Sequence, residues 1–486
     1  MSTLQHAWRR LRRSAPATGR HRHRYRLVRV AVDALCVTVG ALHASVGLAI
    51  TIEEAVQQTL TSNPEALRAA ANVRAAGHDV EQASAVYLPS LDFDTRYGRE
   101  HTNIKQLRFG GNGNDDLWRR EAGLTLTQLV WDGNATRSEV ARRVSLLNSA
   151  EHSLADTYNA LAFRAAEAYV DVVRNRDFVA LAQDNARAHE ITMRTIESKF
   201  DSGIGNRADV EQASARLALA RSIVTAREGS LLEALARYER LVGDVAPADL
   251  AVPNAPPSGL VKNGLLDSGQ LGVATEQARQ RALVDHPAVL QSTADIEAAQ
   301  AALKGAAANY HPKVNLEGAM RRDNNLSGIE GIRNSDSIMV VARWNLFRGG
   351  GDRAGQLAAA ERRVAAQDQL EDTLRRINEN VAIAYQARAT SEARIEFLRQ
   401  HVTASEGTLD AYQAQFELNR RTLLDVLNAR NELFNARANL MSGIYDDLVN
   451  YYFVEASIGV LAKRFGGGTV SAARRVSTIA GGARNC

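Results

Sequence analysis

Residues 62–93 read "SNPEALRAAANVRAAGHDVEQASAVYLPSLDF", and residues 285–316 repeat the same pattern as "DHPAVLQSTADIEAAQAALKGAAANYHPKVNL". Three matching pairs share an offset of 223 residues: Pro64 and Pro287, Tyr87 and Tyr310, and Pro89 and Pro312. From "LVWDG" and "NLFRG" onward the matches keep an offset of 216, so the first copy has the longer connection. Two tandem copies of this length predict one architecture that is duplicated within the chain.

Each copy begins with an Ala-rich segment that predicts a helix, over about 52–86 and 275–309. Two stretches follow in which apolar and polar residues alternate, as in a strand with two different faces. The apolar positions are Leu91, Phe93, Leu124, Leu126 and Val130 in the first copy, and Val314, Leu316, Ile338, Val340, Ala342, Trp344 and Leu346 in the second. Each copy is therefore predicted to contain a β-hairpin whose loop, "GGNGNDD" (110–116) in the first, is too long for a tight turn.

A long helix is predicted after each hairpin. Pro, which disrupts helix interiors, is absent from 90–246 and from every position after 312. Apolar residues then recur every seven positions, as in a coiled coil: Val140, Leu147, Leu154, Leu161 and Ala168. The pattern predicts helices over about 135–200 and 354–418, each roughly 100 Å long. Residues 200–206 and 416–421 interrupt these helices, and a further helix is predicted after each interruption.

The first 49 residues have the composition of a secretory signal. They contain nine Arg and a single acidic residue, and an apolar run then ends in small residues before Ile50. We expect cleavage after Ala49; a membrane anchor is the alternative interpretation. The resulting organisation is a signal peptide (1–49), a first repeat (50–246), a Pro-rich linker (247–270), a second repeat (271–460) and a flexible C-terminal tail (461–486).

Composition excludes several classes of function. The net charge is +4, but the excess of basic residues lies in the first 49 residues, which argues against a nucleic-acid-binding body. The chain has two Cys, Cys36 and Cys486, so the exported body can have neither an internal disulfide nor a Cys-based metal site. Because no nucleotide-binding loop, nucleophile motif or zinc spacing occurs, we expect no enzyme activity and no cofactor.

The predicted strands and helices suggest a conduit built from several chains. No uncharged apolar run long enough for a membrane helix follows residue 50, so any membrane-spanning part must be made of strands. Four strands of about ten residues cannot close a barrel, since closure takes about eight or more. Several chains would therefore combine their strands, and the long helices would project into an aqueous compartment as a bundle. A soluble coiled-coil protein with incidental hairpins is the alternative.

The chain resembles the TolC family of bacterial outer-membrane channels. The resemblance covers about 50–460 and is most specific in "NRRTLLDVLNARNELFNARANL", "SGIGNRADVEQA", "YLPSLDF" and "YHPKVNL". It implies an α+β membrane protein, in which a homotrimer forms one twelve-stranded transmembrane β-barrel with four strands per chain. A long α-helical coiled-coil tunnel continues the barrel through the periplasm. The implied partners are outer-membrane lipid, a periplasmic adaptor, and an inner-membrane ABC transporter or proton-driven pump.

The two interruptions contain the candidate functional residues. Asn206 and Thr422 each precede an Asp by three residues, which is the spacing of a helix N-cap and predicts a structural role for Asp209 and Asp425. The resemblance adds a periplasmic gate, in which Arg421 links to Asp209 of the other repeat and Asp425 forms a ring at the constriction. Phe416 stands where the family often has Tyr, and Asn428 stands where a second ring Asp is found. Adaptor contact is expected at Gly203, Gly205, Asn419 and Arg420.

Four aromatic residues lie near the predicted strand ends: Tyr87, Trp131, Tyr310 and Trp344. They fit an aromatic belt at the membrane surface, and core packing explains them equally well. The function that we favour is the exit duct of type I secretion, exporting a polypeptide such as an RTX-like toxin or adhesin, because no lipoprotein Cys is present. Multidrug efflux is the alternative within the family, and a periplasmic coiled-coil structural protein is the alternative outside it.

Overall fold

The computed structural model describes residues 50–103, 114–253, 256–262, 265–327 and 329–466. The predicted signal peptide, most of the "GGNGNDD" loop and residues 467–486 of the predicted tail lie outside these ranges. The first copy consists of α1 (Ile52–Ser62), α2 (Pro64–Ser84), β1 (Ser90–Asn103), β2 (Asn114–Trp131), α3 (Ala135–Asp201) and α4 (Arg207–Val242). The second copy repeats this order after a small hairpin, β3 (Val261–Lys262) and β4 (Leu265–Leu266), with α5 (Ser268–Asp285), α6 (Pro287–Ala307), β5 (Lys313–Leu326), β6 (Ile329–Arg343), α7 (Gly351–Glu417), α8 (Leu423–Ile458) and the short α9 (Leu461–Arg464).

The first predicted helix of each copy is in fact two helices. Asn63 and His286 have extended backbone angles, and each caps the helix that begins at the following Pro with its own side chain. The residue before a Pro avoids the helical region, and the Pro ring fits the first helical turn. The repeated Pro therefore breaks the helix at the same place in both copies.

The second hairpin differs from its prediction. Leu326 pairs with Ile329, so two residues connect β5 and β6 where a long loop was expected. Ser327 has a φ of +56°, which a tight hairpin turn requires. In addition, β6 ends at Arg343, so Trp344 and Leu346 follow the strand and do not belong to it.

The four long strands form one antiparallel sheet in the order β1-β2-β5-β6. The two hairpins are joined edge to edge, because Arg120 to Trp131 of β2 pair with Val314 to Asn324 of β5. The strands span 14 to 18 residues, longer than the ten predicted. Within the described ranges, no helix is both long and apolar enough to cross a membrane.

The two longest helices, α3 and α7, each have 67 residues and begin and end within three residues of their predicted bounds. Each packs along the shorter helix that follows it, α3 against α4 and α7 against α8. The predicted seam of α3 is buried at Leu154, Leu161 and Ala168. Most of the stability of a helix in a protein comes from the packing of its apolar face. Burial of this apolar stripe therefore stabilises α3.

The largest core cluster lies where α1, α3, α4, α8 and α9 meet. Tyr169 is fully buried there, and its hydroxyl lies 2.7 Å from the carbonyl oxygens of both Ile50 and Ala251. Leu461 and Phe465 are also buried in this cluster. Residues 461–466 are therefore a packed end of the fold, which corrects the start of the predicted flexible tail.

The linker contacts the second copy's long helices near its middle, at Pro256 and Ser258. Arg388 of α7 is 3% exposed, pairs with Asp447 of α8 at 3.2 Å, and donates to the carbonyl oxygen of Pro256. The Glu392 carboxylate accepts a hydrogen bond from the Ser258 amide at 3.2 Å. Pro256 and Ser258 of the linker therefore lie against α7.

Candidate functional site

The first interruption, between α3 and α4, is a tight helix C-terminal turn that we call tip 1 (residues 199–209). The Gly203 amide donates to the Phe200 carbonyl at 2.9 Å, and the Ile204 amide donates to the Lys199 carbonyl at 3.0 Å. Gly203 has a φ of +77°, the left-handed conformation that ends many helices. Gly205 is needed for a different reason, because a Cβ atom there would lie 2.9 Å from the Phe200 backbone nitrogen.

The second interruption, between α7 and α8, forms the same turn and is called tip 2 (residues 415–425). The Asn419 amide donates to the Phe416 carbonyl at 3.0 Å, and the Arg420 amide donates to the Gln415 carbonyl at 2.8 Å. Asn419 has a φ of +54° and occupies the place of Gly203. Asn is the residue after Gly that tolerates this conformation best. The turn is therefore conserved between the copies although its sequence differs.

The next helix of each tip begins with a side-chain cap. Asn206 accepts a hydrogen bond from the Asp209 amide at 2.8 Å, as the spacing predicts. In tip 2 the cap is reciprocal, because Thr422 accepts from the Asp425 amide while the Asp425 carboxylate accepts from the Thr422 amide and hydroxyl. These bonds to Thr422, followed by the charge of Arg421, hold the pKa of Asp425 below its usual value. The second cap thus keeps a carboxylate ionised at the tip.

Arg421 lies among three side chains of its own tip. Its guanidinium carbon stands 4.3 Å from the centre of the Tyr412 ring, and Nε donates to Gln415 Oε1 at 3.0 Å. Nη1 lies 3.7 Å from Asp425 Oδ2. In the described part of this single chain Arg421 has no contact with Asp209, so the link expected between them stays a prediction for neighbouring subunits.

Phe416 joins the two tips. Its ring packs against Ile196 and Leu427 in one apolar cluster and against Leu409 in another. The Lys199 ammonium lies 4.4 Å from the ring centre, a distance at which a cation is attracted to the aromatic face. Phe416 has no hydroxyl to contribute, and packing is the role that its surroundings define.

A cluster of polar groups between α3, α4 and α8 is not apparent from the sequence. Arg216 donates to Asn428 Oδ1 at 3.1 Å, which ties the first helix pair to the second. His189 lies beside Arg216 and Arg430 and is 5% exposed. Burial, assisted by the charges of these two arginines, lowers the pKa of His189 to about 4. Residues so far apart in sequence give no local signal of this contact.

The long sheet has two chemically different faces. One face, which we call the charged face, contains Arg96 and Glu121 paired at 3.3 Å, and Glu121 and Asp323 are each 3% exposed. The opposite face, called the apolar face, exposes large apolar side chains: Leu91, Phe93, Leu126, Met320, Ile338 and Val340. In a sheet that curves around a lumen, side chains crowd together on the inner face and stand apart on the outer face. The buried charged face and the exposed apolar face fit this arrangement. The apolar face has the composition of a lipid-facing surface.

The four strand-end aromatics lie where the sheet meets the helices. Trp131 contacts His311 edge to face at 5.7 Å, and the Trp344 indole donates to the Tyr310 carbonyl at 3.2 Å. The Tyr87 carbonyl accepts from Gln128 at 3.0 Å. All four rings are between 42% and 58% exposed in the chain. The belt that they were expected to form stays a prediction.

The chain belongs to the family described as outer membrane efflux protein, whose model matches residues 55–244 and 278–446. It is 25% identical over 415 residues to the outer membrane efflux protein BepC of Brucella suis biovar 1 (strain 1330), covering 84% of this chain and 86% of BepC. It is 26% identical over 436 residues to the outer membrane protein TolC of Escherichia coli (strain K12), covering 86% and 84%. The alkaline protease secretion protein AprF of Pseudomonas aeruginosa is 25% identical over 406 residues, covering 80% and 82%.

Among solved structures, CusC superposes with a TM-score of 0.71 and 18% sequence identity, over 86% of this chain and 95% of that chain. The protein is therefore an outer-membrane channel of the TolC family that extends into the periplasm, and it is not an enzyme. Its fold is one third of a twelve-stranded barrel continued by a helical tunnel. Channels of this family are homotrimers that work with adaptor proteins and inner-membrane transporters.

Proposed function

We propose that the protein is the outer-membrane exit duct of a type I secretion system, through which an ABC transporter exports a polypeptide. The charged face of the sheet is the observation on which the proposal rests. A wall of Arg and acidic side chains is polar, and a polar wall suits the passage of an unfolded, polar chain. An RTX-like toxin or adhesin is the class of cargo that we propose.

Two further observations support secretion over efflux. Cys36 follows Asp-Ala-Leu, which is a poor site for attachment of a lipid anchor. AprF, which matches most of this chain, is named for the secretion of a protease. BepC is named as an efflux protein, and a tripartite multidrug pump is accordingly the second candidate.

The experiment places the full chain in a host strain whose own channel of this family has been deleted. One arm supplies an ABC transporter and adaptor dedicated to protease secretion, and extracellular protease activity is measured. The other arm supplies a proton-driven pump with its adaptor, and resistance to the pump's substrates is measured. We expect restored secretion; restored resistance without secretion would replace this proposal with the second candidate.

We also propose that the two tips form the periplasmic gate and the adaptor contact. Arg421 is exposed, and its ion pair with Asp425 lies within a single tip at 3.7 Å. Such a pair is weak in water and can be exchanged for another carboxylate at low cost. In the trimer Asp209 of a neighbouring subunit would be that carboxylate, and an adaptor docking at Gly203, Gly205, Asn419 and Arg420 would release it.

A further inference from the structure

The apolar face of the sheet carries apolar residues near the helices and basic residues farther from them. Directly paired residues of neighbouring strands lie on the same face. The row Leu91, Leu126, Gly318 and Ile338 is apolar, and the next row contains Phe93, Leu124 and Met320 together with Asp336. Beyond it, away from the helices, the same face presents Arg322, Arg120 and Arg99. The basic residues thus lie at the end of the strands that is farther from the periplasmic tunnel.

Two aromatic rings accompany these arginines. Tyr97 and Trp118 stack with their centres 5.3 Å apart and their planes within 10°, and both are more than half exposed. The Arg120 guanidinium carbon lies 5.8 Å from the centre of the Tyr97 ring. An exposed aromatic pair beside arginines is typical of the membrane surface, where rings lie among lipid headgroups.

The acidic residues of this face neutralise Arg99 but form no ion pair with the other two arginines in the part of the chain that the structure describes. Asp116 pairs with Arg99 at 3.3 Å and with His101 at 3.1 Å. Asp336 lies one row nearer the helices, opposite Met320. Within the residues described, neither Arg120 nor Arg322 forms an ion pair. Two guanidinium groups are therefore available for an anion outside the protein.

The height of these groups fits the outer leaflet. Arg322 follows Val314, which pairs with the end of β2 near the helices, by eight residues. At about 3.4 Å per residue and a tilt of about 40°, this separation spans roughly 21 Å across the membrane. Arg120 lies about 5 Å farther along by the same arithmetic, and transmembrane barrels have an apolar band about 25 Å tall. Measured from Val314, Arg322 thus lies just inside the outer boundary of this band and Arg120 lies at it, and the long Arg side chains extend from there to the outer headgroups.

We propose that Arg120 and Arg322, flanked by Tyr97 and Trp118, bind the phosphate groups of a phosphorylated lipid in the outer leaflet. The guanidinium fork matches phosphate oxygens, and the rings cover the sugar or glycerol part of the headgroup. The site uses lipid that already surrounds the barrel, and it occurs three times in the trimer. It rests on the outer-membrane location of the channel and is independent of the cargo.

The test measures lipid binding by the purified full-chain trimer in detergent. Lipid A with both phosphates is titrated, and dephosphorylated lipid A and inorganic phosphate serve as parallel probes. The variant combines Arg120→Gln with Arg322→Gln. Arg321→Gln is the matched control, since it removes the same charge from the next residue of β5 on the charged face.

We expect the trimer to prefer phosphorylated lipid A, the double variant to bind it at least tenfold more weakly, and the control to stay within twofold of the native chain. A native trimer that binds both forms of lipid A equally would overturn the proposal. So would a double variant that binds as the native chain does, or inorganic phosphate that displaces the lipid at equal concentration. If the double variant fails to form trimers, the single Arg322→Gln chain and the phosphate dependence of the native trimer decide the question.

Discussion

Asp425 caps α8, and the proposed gate gives it a second role; its twin Asp209 shares the capping role only in part. Both residues follow a cap residue by three positions, and both amides are capped. Only Asp425 returns a hydrogen bond through its carboxylate and lies beside an Arg. The capping role depends on oxygen atoms, whereas a role at a pore mouth depends on charge. Substitutions can separate the two.

Asp425→Asn is expected to lower the cation selectivity of the trimer, because it removes one charge per chain from the proposed ring. Thr422→Ala is the matched control, since it removes the reciprocal cap and leaves the charge in place. Single-channel reversal potentials in a salt gradient measure the effect. If both variants shift selectivity equally, the cap accounts for the change and there is no charged ring.

Arg421→Ser is expected to raise the conductance of the resting trimer in planar bilayers. The change removes the guanidinium that Tyr412, Gln415 and Asp425 hold at the tip. Arg420→Ser provides the control, as it removes a positive charge from the adjacent position. A closed state like that of the native channel in the Arg421 variant would contradict the gate.

At the scale of the elements, local sequence patterns predict the bounds of the long helices and their caps. The bounds of α3 and α7 follow from missing Pro and a seven-residue repeat, and the caps follow from a three-residue spacing. The break at Pro64 and Pro287 also had a local signal that the helix prediction passed over. The contact of Arg216 with Asn428 joins residues 212 positions apart, and no local pattern reports it. The tight turn of the second hairpin has a local signal in the dipeptide Ser327-Gly328, which is typical of turns.

Gly205→Ala is expected to loosen tip 1, because the added methyl group would meet the Phe200 backbone at 2.9 Å. Gly229→Ala in α4 is the control, since a Cβ there meets nothing within 4 Å and Ala favours helix by about 1 kcal/mol. Amide hydrogen exchange over 199–209 should become faster in the first variant alone. Unchanged exchange would mean that the tip tolerates a wider turn.

The contact between α3, α4 and α8 should weaken in acid. His189 is neutral in the folded chain, with a pKa of about 4, and takes up a proton in the unfolded chain at about 6.5. The unfolded state therefore binds more protons between these values, and stability falls as the pH drops through this window. From pH 7 to 4.5 the loss is about 2–3 kcal/mol.

His189→Gln should remove this part of the pH dependence, as measured by urea unfolding of the trimer at the two pH values. His401→Gln is the control, because His401 lies exposed on α7 beside Glu432. An unchanged pH dependence in His189→Gln would show that protonation of His189 is not coupled to folding.

For the whole molecule, the sheet connects one chain to the assembly. Its apolar face is exposed in the chain and its charged face is partly buried. The two faces therefore suit different surroundings, lipid for the apolar face and the lumen for the charged face. The outer edges of β1 and β6 have no partner within the described part of one chain. Closure by neighbouring copies satisfies those edges and gives the family's barrel.

Ile338→Arg is expected to impair assembly in lipid, because a charged residue on the lipid face near the membrane centre costs about 2–4 kcal/mol. Ser337→Arg is the matched control, as it places the same side chain on the charged face one residue away. The yield of heat-resistant trimers after refolding into vesicles measures the difference. Equal yields would contradict the assignment of the two faces.

The two hairpins have connections of different length, so long and short connections alternate around the cell-surface end of the channel. Two residues separate β5 from β6, whereas ten separate β1 from β2. Around a threefold axis, short and long connections then follow one another six times. A peptide tag inserted between β1 and β2 would be displayed in three copies to antibodies outside the cell, while the same insertion between β5 and β6 would disrupt paired strand residues.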